Sequence, residues 1–476
     1  MTVGTVRVPG QGGRRGRGLV ALLAWVAVFA ASQPALAQFG GMGGMGGIGG
    51  GGFRGGFRGG FNAVGGISID ADGIVANVDP RMLESLATER KKLLEAAVGP
   101  GAGTLRKVSL AGIIQAVRAA AAEGRQVPIE VALLGGLERV THVFVDVEKH
   151  DIILAGPADR VAVDATGNLV AAGSRRPLLQ LEDLLVALRS IDQARAGGIQ
   201  CSIDPTREGL AQFEKLMSGI KTMPADRDQF FRAIENAFGR QVVRVDGVPR
   251  DSRVARILVA ADYRMKRIGM GLEPSGLKEL PSYLSMVAAG GRAAALPRFW
   301  LEPEYEPLGH DADELSWKIG GRRMKCLSQS DLLAKDGIKR GAGVADPAAE
   351  KWCAAMTDNY DSLVAKQPVF GELLNCVDMA VVAALIHGRQ LDRRAGLDLA
   401  PLLDSKTVPL PVYDVPTQVP TVANGFKKGT NWVLSASGGV QFQPWQFAGT
   451  AAVAADAAEA RKTAIGGRPA TGWHWD

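Results

Sequence analysis

The sequence predicts an α+β fold made of small mixed domains, in which β-hairpins alternate with amphipathic helices. Short segments that alternate apolar and polar residues meet at Asp-Gly turns, a pattern typical of hairpins. Longer segments between them repeat apolar residues with the helical period of 3.6 residues. The chain has 476 residues, 46% hydrophobic and 22% charged, which is enough for two or three globular domains and excludes a wholly disordered chain.

The N-terminus has the three parts of an export signal. Basic residues at 14–17 precede an uninterrupted apolar run over residues 19–31. The sequence Ala-Leu-Ala at 35–37 has the small residues that signal peptidase requires, so we expect residues 1–37 to be a signal peptide cleaved after Ala37. A retained membrane anchor is the alternative, although the run is short for a bilayer, which needs about 20 residues. No second apolar span follows, so no transmembrane segment is expected after cleavage.

A flexible tether is expected over residues 38–61. Gly-Gly-Met and Phe-Arg-Gly-Gly units repeat there, and glycine at this density has a backbone entropy that burial does not offset. An adhesive tail that contacts envelope polymers or other copies of itself is the alternative.

The net positive charge of the chain comes from its N-terminal residues. The formal net charge is +6, and residues 1–61 contain six arginines, no lysine and no acidic residue. Subtracting these six charges leaves residues 62–476 neutral. A neutral folded part gives little long-range attraction to phosphate backbones, so no nucleic-acid partner is expected.

The first α+β domain is expected over residues 62–200. A hairpin around the turn at 70–73 is repeated in sequence by a second hairpin at 161–170. Ser109 stands at the N-cap position of a helix. The remaining predicted elements are helices from residue 80, from residue 110 and over 178–192, and strands near 128–134, 141–147 and 151–155.

The second α+β domain is expected over residues 201–388. It ends in a helical hairpin near 347–387, whose arms separate at Gln367–Pro368 because proline does not continue a helix. The other predicted elements are strands over 199–203, 241–248, 298–306 and 315–327, helices over 206–219 and 228–238, and a helix capped by Asp251.

The C-terminal region, residues 389–476, is expected to be extended. Residues 408–420 are rich in proline, which is typical of a strap rather than of a core strand. A last hairpin is predicted over 432–442 and an alanine-rich surface helix over 448–464.

The expected export determines how the four cysteines are interpreted. Cys201, Cys326, Cys353 and Cys376 all follow the predicted cleavage site. An oxidising compartment favours two disulfides, with three connectivities open, and buried free thiols are the alternative. No Cys-x-x-Cys pair occurs, which disfavours a tetrahedral zinc site.

Acidic residues form the strongest candidate for catalysis. Glu302, Glu304 and Glu306 would share one face of a strand, because strand side chains alternate. Close carboxylates raise one another's pKa, which keeps a general acid protonated, so these three and Asp311 are the candidate catalytic residues. A site for a hard cation and an exposed acidic edge are the alternatives, and two prolines in the segment argue against a regular strand.

Asp70 and Asp72 are weak candidates for a metal site. With Gly73 they match part of a calcium-binding loop, but Asp79 stands where a bidentate glutamate is required. The turn at 164–167 repeats the pattern with threonine in place of the second acid, so a turn is the alternative. The five histidines are dispersed without an HExxH motif, nucleotide-binding glycine motifs are absent, and no cofactor is expected.

Six segments distributed over the chain after the predicted cleavage site carry a family resemblance. They are GGISIDADGIV (65–75), DIILAGPADRVAVDATGNLV (151–170), RPLLQLEDLLVALRSI (176–191), ADYRMKRIGMGLE (261–273), RFWLEPEYEPL (298–308) and NWVLSASGGV (431–440). With these segments the chain resembles a secreted planctomycete family of unknown function. The resemblance implies export and a role in the cell envelope, and it assigns no activity or site.

These observations favour an exported, non-enzymatic protein of the envelope or periplasm that binds an unknown partner, either an envelope polymer or an envelope protein. The neutral folded part, the tether and the absence of a catalytic motif support this hypothesis. A hydrolase acting on an envelope polymer through paired carboxylates is the alternative. It requires two of the candidate carboxylates in a cleft, about 5–10 Å apart.

Overall fold

The computed structural model describes residues 26–27, 61–95, 101–220, 226–288, 296–334, 337–339, 346–428, 431–434, 438–469 and 472–476. The predicted signal peptide, its cleavage site and the glycine-rich tether lie outside these residues, apart from Val26–Ala27 and Phe61. Val26–Ala27 pairs with Val422–Ala423, a contact that would be absent from a chain cleaved after Ala37.

The predicted α+β class is confirmed. The strands are β1 Val26–Ala27, β2 Ile67–Ile69, β3 Val75–Asn77, β4 Gly103–Ser109, β5 His142–Asp146, β6 Asp151–Ala158, β7 Val161–Val163, β8 Leu169–Ala171, β9 Ile199–Asp204, β10 Gln241–Asp246, β11 Leu296–Glu302, β12 Leu308–His310, β13 Ser316–Lys318, β14 Lys325–Ala334, β15 Gly337–Lys339, β16 Gln418–Val419, β17 Val422–Ala423, β18 Gly425–Lys428, β19 Asn431–Leu434, β20 Gly438–Phe442, β21 Ala451–Val453 and β22 His474–Trp475.

The helices are α1 Pro80–Glu95, α2 Leu110–Ala122, α3 Ile129–Ala132, α4 Leu181–Arg189, α5 Ile191–Gly197, α6 Arg207–Gly219, α7 Arg227–Phe238, α8 Arg253–Gly269, α9 Tyr283–Ala288, α10 Pro347–Asp358, α11 Tyr360–Lys366, α12 Pro368–Gly388, α13 Leu391–Ala395, α14 Ala400–Leu403, α15 Pro444–Gly449 and α16 Ala457–Gly466. Short 3-10 turns occupy Phe61–Gly66 and Leu134–Gly136.

Two seven-stranded sheets organise the described residues. The first sheet has the strand order β15-β14-β11-β20-β9-β10-β16 and packs on the larger of the two main hydrophobic cores. The second sheet has the order β21-β12-β13-β5-β6-β4-β22. Each sheet is antiparallel except for one parallel pair, β11 with β20 in the first and β12 with β21 in the second. Both sheets therefore combine strands that are far apart in the sequence.

Helix α12 connects the two hydrophobic cores. Its first half, including Phe370 and Leu373, packs in the core of the first sheet, whereas its second half, including Val382 and Leu385, packs in that of the second. Among the described residues, α12 alone has the length and apolar character of a membrane span, and its most apolar window is completely buried in the protein. The core helix of a soluble protein has the same properties, so this finding is weak evidence for a span.

Helix α8 is buried around its whole circumference although it carries many charges. It packs on the inner face of the first sheet and contacts α12 and α4 on its other side. At its first residue, Arg253 donates hydrogen bonds from Nη1 to Asp183 Oδ2 at 2.6 Å and from Nη2 to Glu372 Oε1 at 2.5 Å. This buried network joins α8, α4 and α12, and burial raises the pKa of both carboxyl groups against the opposing charge of Arg253.

The proline-rich strap is confirmed, and it is attached to this network. Residues 409–417 contain no helix or strand. The Tyr413 hydroxyl donates a hydrogen bond of 3.0 Å to Glu182 Oε2, and the Tyr413 backbone N–H donates one of 2.8 Å to the Asp251 carbonyl. The other oxygen of Glu182, Oε1, is buried without a hydrogen-bond partner.

Several local predictions differ from the structure. The strand expected near 128–134 is the short helix α3 followed by a 3-10 turn, where Leu134, Gly135 and Gly136 have positive φ angles that an extended strand does not adopt. The helix expected to be capped by Asp251 is capped by Ser252, whose hydroxyl accepts from the Ala255 N–H.

The helical hairpin near 347–387 is present, but its first arm divides at Asn359 into α10 and α11. The two strands of the hairpin expected over 432–442 do not pair with each other. The first is β19, which pairs with β18, and the second is β20, in the middle of the first sheet. The domain boundaries at 200 and 388 stay a prediction. Strands from all three predicted segments contribute to the second sheet, and the first sheet combines strands of the second and third segments with β9, which crosses the boundary at 200.

Candidate functional site

One face of the first sheet is polar and open to solvent. Along β9, Cys201 and Ile203 are buried in the core, and polar residues alternate with them on the outward face. Because side chains alternate along a strand, the polar residues of neighbouring strands share one surface. The outward residues are Gln200, Ser202 and Asp204 of β9, Arg244 and Asp246 of β10, Arg298 and Trp300 of β11, and Gln441 of β20.

The second sheet differs because its outer face is closed. There, Ala464 of α16 packs with Phe144 of β5, Ile153 of β6 and Trp475 of β22 in one apolar cluster. The outward face of the first sheet carries exposed side chains instead, such as Arg244 and Gln441. Of the two sheet faces that point away from the cores, this is the one available to a ligand.

The strand register places residues with small side chains at the middle of the open face. Arg244 of β10 pairs with Ser202 of β9, Ser202 pairs with Gly439 of β20, and Gly439 pairs with Trp300 of β11. A small residue and a glycine therefore separate an arginine from a tryptophan in one row across four strands. The result is a depression between two taller sides.

We call this depression the sheet groove, and define it by the eight outward residues named above together with Cys201 and Val440. It has a volume of about 330 Å³, which is at the lower end of the range for small-ligand sites. Its lining contains two arginines and two aspartates, so its formal charge is zero. A site of this size and charge suits a short stretch of a neutral polar ligand.

Hydrogen bonds between neighbours orient the polar side chains of the groove. Ser202 Oγ donates a hydrogen bond of 2.8 Å to Asp204 Oδ2, and Arg244 Nη1 lies 3.9 Å from the same oxygen. Gln200 Nε2 donates to Asp246 Oδ2 at 3.3 Å. The Arg244 side chain stays 68% exposed, so its guanidinium has donors directed to solvent or to a ligand.

Trp300 provides the large apolar surface of the groove. The guanidinium carbon of Arg298 lies 5.8 Å from the Trp300 ring centroid, and Trp300 Nε1 donates a hydrogen bond of 3.4 Å to Glu302 Oε2. These contacts hold the half-buried indole in one orientation. An aromatic face beside planar hydrogen-bonding groups can recognise a ring that has an apolar face and polar edges.

The core beneath the groove contains a buried thiol and a buried ion pair. Burial raises the pKa of the Cys201 thiol well above its usual value, so the thiol is not a nucleophile near neutral pH. On α8, Lys266 Nζ lies 2.8 Å from Asp262 Oδ2, and both side chains are buried. Burial raises the pKa of Asp262, although the neighbouring ammonium opposes the shift. The groove therefore has features of a binding site rather than of a nucleophilic one.

The candidate catalytic carboxylates are only partly brought together. The strand expected over 298–306 ends at Glu302, because Pro303 follows, so the expectation that three glutamates alternate on one strand is wrong. Lys325 Nζ lies 3.4 Å from Glu302 Oε1 and 4.0 Å from Glu304 Oε1, which places both carboxylates around one ammonium. Neither of them lines the sheet groove.

The other two candidates have different surroundings. Glu306 is exposed in the connection to β12. Asp311 is buried at the turn between β12 and β13, where its Oδ1 accepts hydrogen bonds from the Leu315 and Ser316 N–H groups at 2.8 and 3.1 Å. The environment of Asp311 is thus that of a turn-forming residue, distant in the fold from the Glu302–Lys325 contact.

The metal candidates Asp70 and Asp72 lie in the turn between β2 and β3. Asp70 Oδ1 accepts hydrogen bonds from the Asp72 and Ile74 N–H groups at 3.0 and 2.8 Å. Asp164 does the same for the Thr166 and Asn168 N–H groups, which explains the repeated sequence pattern by turn geometry. No group of three or more potential metal ligands occurs among the described residues.

All four cysteines are buried free thiols in the structure, and two of them are adjacent. Cys326 Sγ of β14 lies 3.5 Å from Cys353 Sγ of α10. The disulfide prediction is not tested by this observation, because it depends on the redox conditions.

The groove residues were not among the sequence candidates, although the sequence contains a signal for them. In β9, polar residues occupy every second position opposite an apolar set, and Arg244 and Asp246 of β10 and Arg298 of β11 are charged residues at alternate positions. An outward tryptophan among such polar residues is a signal for a binding surface, because it exposes a large apolar ring to solvent. The signal needs the order of the strands, because β9 and β11 become neighbours of β20 only in the folded sheet.

Fold and site together define a mixed α+β protein with a charge-balanced groove on an open sheet. The profile of the family described as Protein of unknown function (DUF1598) matches residues 201–283, so the chain contains this domain of unknown function. The matched segment begins in β9 and includes α6, α7, β10 and α8. It therefore supplies two strands of the groove and the helix beneath it. No curated protein and no solved structure matches the chain.

Proposed function

We propose that this protein is exported and binds, without chemical turnover, a neutral polysaccharide of the cell envelope through the sheet groove. The observation that carries the proposal is the groove itself, a polar depression of balanced charge with Trp300 on one side and Arg244 on the other. Export is supported by the predicted signal peptide.

The chemistry of the lining favours sugar rings over charged polymers. Carboxylates accept from hydroxyl groups, guanidinium groups donate to them, and the amides of Gln200 and Gln441 do both. The indole of Trp300 would cover the apolar face of one ring. A polyanion or a polycation would meet as many like charges as opposite ones, because the two arginines and two aspartates balance.

The described residues support binding more directly than the hydrolase alternative, although Glu302 and Glu304 lie within the spacing that paired carboxylates need. Glu302 and Glu304 share the ammonium of Lys325 instead of flanking a scissile bond in the groove. A binding protein needs no such pair, and the inert thiol beneath the groove agrees with this role.

Substitution of Trp300 by alanine is expected to weaken binding about 10- to 100-fold, because it removes the only large apolar surface among the groove residues that the structure describes. Substitution of Arg244 by alanine is expected to weaken it about 10-fold. Binding of residues 38–476 to an envelope fraction of the producing organism would be measured by co-sedimentation. The dissociation constants for chitohexaose and cellohexaose would be measured by calorimetry. Incubation should release no new reducing ends.

Arg125→Ala is a matched control for Arg244→Ala, because Arg125 is similarly exposed, at 62%, in a loop outside the groove. Trp300→Phe should keep part of the affinity. Comparison of residues 62–476 with residues 38–476 distinguishes binding by the groove from binding by the glycine-rich segment. The shorter chain should bind as well as the longer one. Equal binding by Trp300→Ala and wild type, or new reducing ends, would refute the proposal.

A further inference from the structure

A strand and a helix of the first core bring two cysteines together. Cys326 lies on the inward face of β14, and Cys353 lies on the side of α10 that packs against this strand. The two sulfur atoms are 3.5 Å apart, although the two cysteines are 27 positions apart in the sequence. A small movement of the two side chains brings the sulfurs to bonding distance.

A second contact fixes the same two elements at the same place. Thr357 stands one turn after Cys353 on α10, and its hydroxyl accepts a hydrogen bond of 2.9 Å from the Cys326 N–H. The same hydroxyl donates to the Cys326 carbonyl at 3.4 Å. Thr357 therefore holds the backbone of Cys326 against α10 independently of the sulfur atoms, and the proximity of the thiols is built into the packing.

The other two cysteines have different neighbours. Cys376 of α12 lies in the electrostatic surroundings of Asp183, Arg253 and Glu372. Cys201 of β9 lies near Asp262 and Lys266. The sequence left three connectivities open for two disulfides, and the geometry distinguishes one pair of cysteines from the rest.

We infer that Cys326 and Cys353 form a disulfide in the exported protein, and that Cys201 and Cys376 remain thiols. The pairing rests on the proposed export, which provides an oxidising compartment, and it is independent of ligand binding. It makes these two residues a redox modification site that ties β14 to α10.

The bond forms by thiol–disulfide exchange with a disulfide oxidant, either a small molecule or a protein. The thiolate of one cysteine attacks a sulfur of the oxidant, a mixed disulfide forms, and the first oxidant thiolate leaves and takes up a proton. The second cysteine thiolate then attacks the mixed disulfide and expels the second oxidant thiolate. The protein loses two electrons and two protons, and the oxidant disulfide becomes two thiols.

Burial determines when this exchange can happen. Cys326 and Cys353 are 4% and 5% exposed, and burial raises the pKa of the Cys326 thiol well above its usual value. The thiolate of Cys326 is therefore scarce in the folded state, and burial gives an oxidant poor access to both sulfur atoms. The exchange therefore belongs to folding, before β14 and α10 close, and the finished bond is protected from reductants.

The direct test is a map of the cysteines in wild-type protein. The full chain is refolded with reduced and oxidised glutathione, denatured, alkylated with iodoacetamide and digested without a reductant. We expect one cross-linked pair of peptides that contains Cys326 and Cys353, with Cys201 and Cys376 alkylated. Alkylated Cys326 and Cys353, or a cross-link that includes Cys201 or Cys376, would overturn the inference.

Stability gives a second readout. The cross-link closes a loop of about 27 residues, so oxidation of the wild type should raise Tm by about 2–5 °C relative to the reduced protein. Cys353→Ser should lose this redox difference, whereas the matched variant Cys376→Ser should keep it. If Cys353→Ser does not fold, the cysteine map of the wild type still decides. Failure of the binding experiment leaves both readouts unaffected.

Discussion

Replacement of Arg253 by methionine is expected to lower the free energy of unfolding by about 3–5 kcal/mol. Arg253 is buried between α4 and α12 and forms ion pairs with Asp183 and Glu372, both of which are also buried. Methionine fills a similar volume but leaves two carboxyl groups in the core without their cation. Breaking one member of a buried network costs more than the network contributes, because the remaining charges stay desolvated.

Urea unfolding at pH 7 measures this loss, and Arg244→Met is the matched control. Arg244 has the same side chain in an exposed position on β10, so its replacement should change the free energy of unfolding by less than about 0.5 kcal/mol. The loss in Arg253→Met should become smaller in acid, where protonation neutralises the two carboxyl groups. A loss below about 1 kcal/mol at pH 7 would show that the carboxylates do not depend on Arg253.

Replacement of Glu182 by glutamine is expected to raise the free energy of unfolding by about 2–4 kcal/mol at pH 9 and to leave it nearly unchanged at pH 4. Burial raises the pKa of Glu182 from 4.5 to about 8, although Arg253 opposes the shift. Between these values the folded chain keeps a proton that the unfolded chain has lost, so the wild type loses stability as the pH rises. Glutamine cannot titrate, and its amide keeps a partner for the Tyr413 hydroxyl.

Unfolding free energies of both proteins would be measured at pH 4, 7 and 9. Their difference should grow between about pH 4.5 and pH 8 and stay constant above that range. Glu89→Gln on the exposed side of α1 serves as the control and should show little difference at any pH. A difference that does not vary with pH contradicts a raised pKa for Glu182.

Local elements of the fold could be predicted because their signals are local. The strand expected over 199–203 and the helices over 206–219 and 228–238 agree within one residue with β9, α6 and α7. In these segments the apolar period and the turn residues indicate the same structure. The α+β class follows from the alternation of such segments.

The arrangement of these elements could not be predicted from the same signals. The apolar period of α8 predicts a single buried face, but Arg256, Asp262 and Lys266 are also buried, because elements cover every side of the helix. The charges are tolerated through tertiary partners, which periodicity does not describe.

The candidate site illustrates the same limit. The density of acidic residues predicts a site at Glu302, Glu304 and Glu306. The groove depends instead on residues such as Ser202 and Gln441, which match no functional motif in the sequence. Their importance arises from adjacency across strands that lie more than 200 residues apart in the sequence. A single sequence contains no direct record of that adjacency.

The central position of β20 has a consequence for the timing of assembly. Until residue 442 has emerged, β9 and β11 have no strand to join them, and their unpaired edges are open to wrong pairing. If the chain is exported from its N-terminus as proposed, the groove forms only after β20 has crossed the membrane. Binding through the proposed groove therefore has to wait until more than 200 residues after β9 have followed it across.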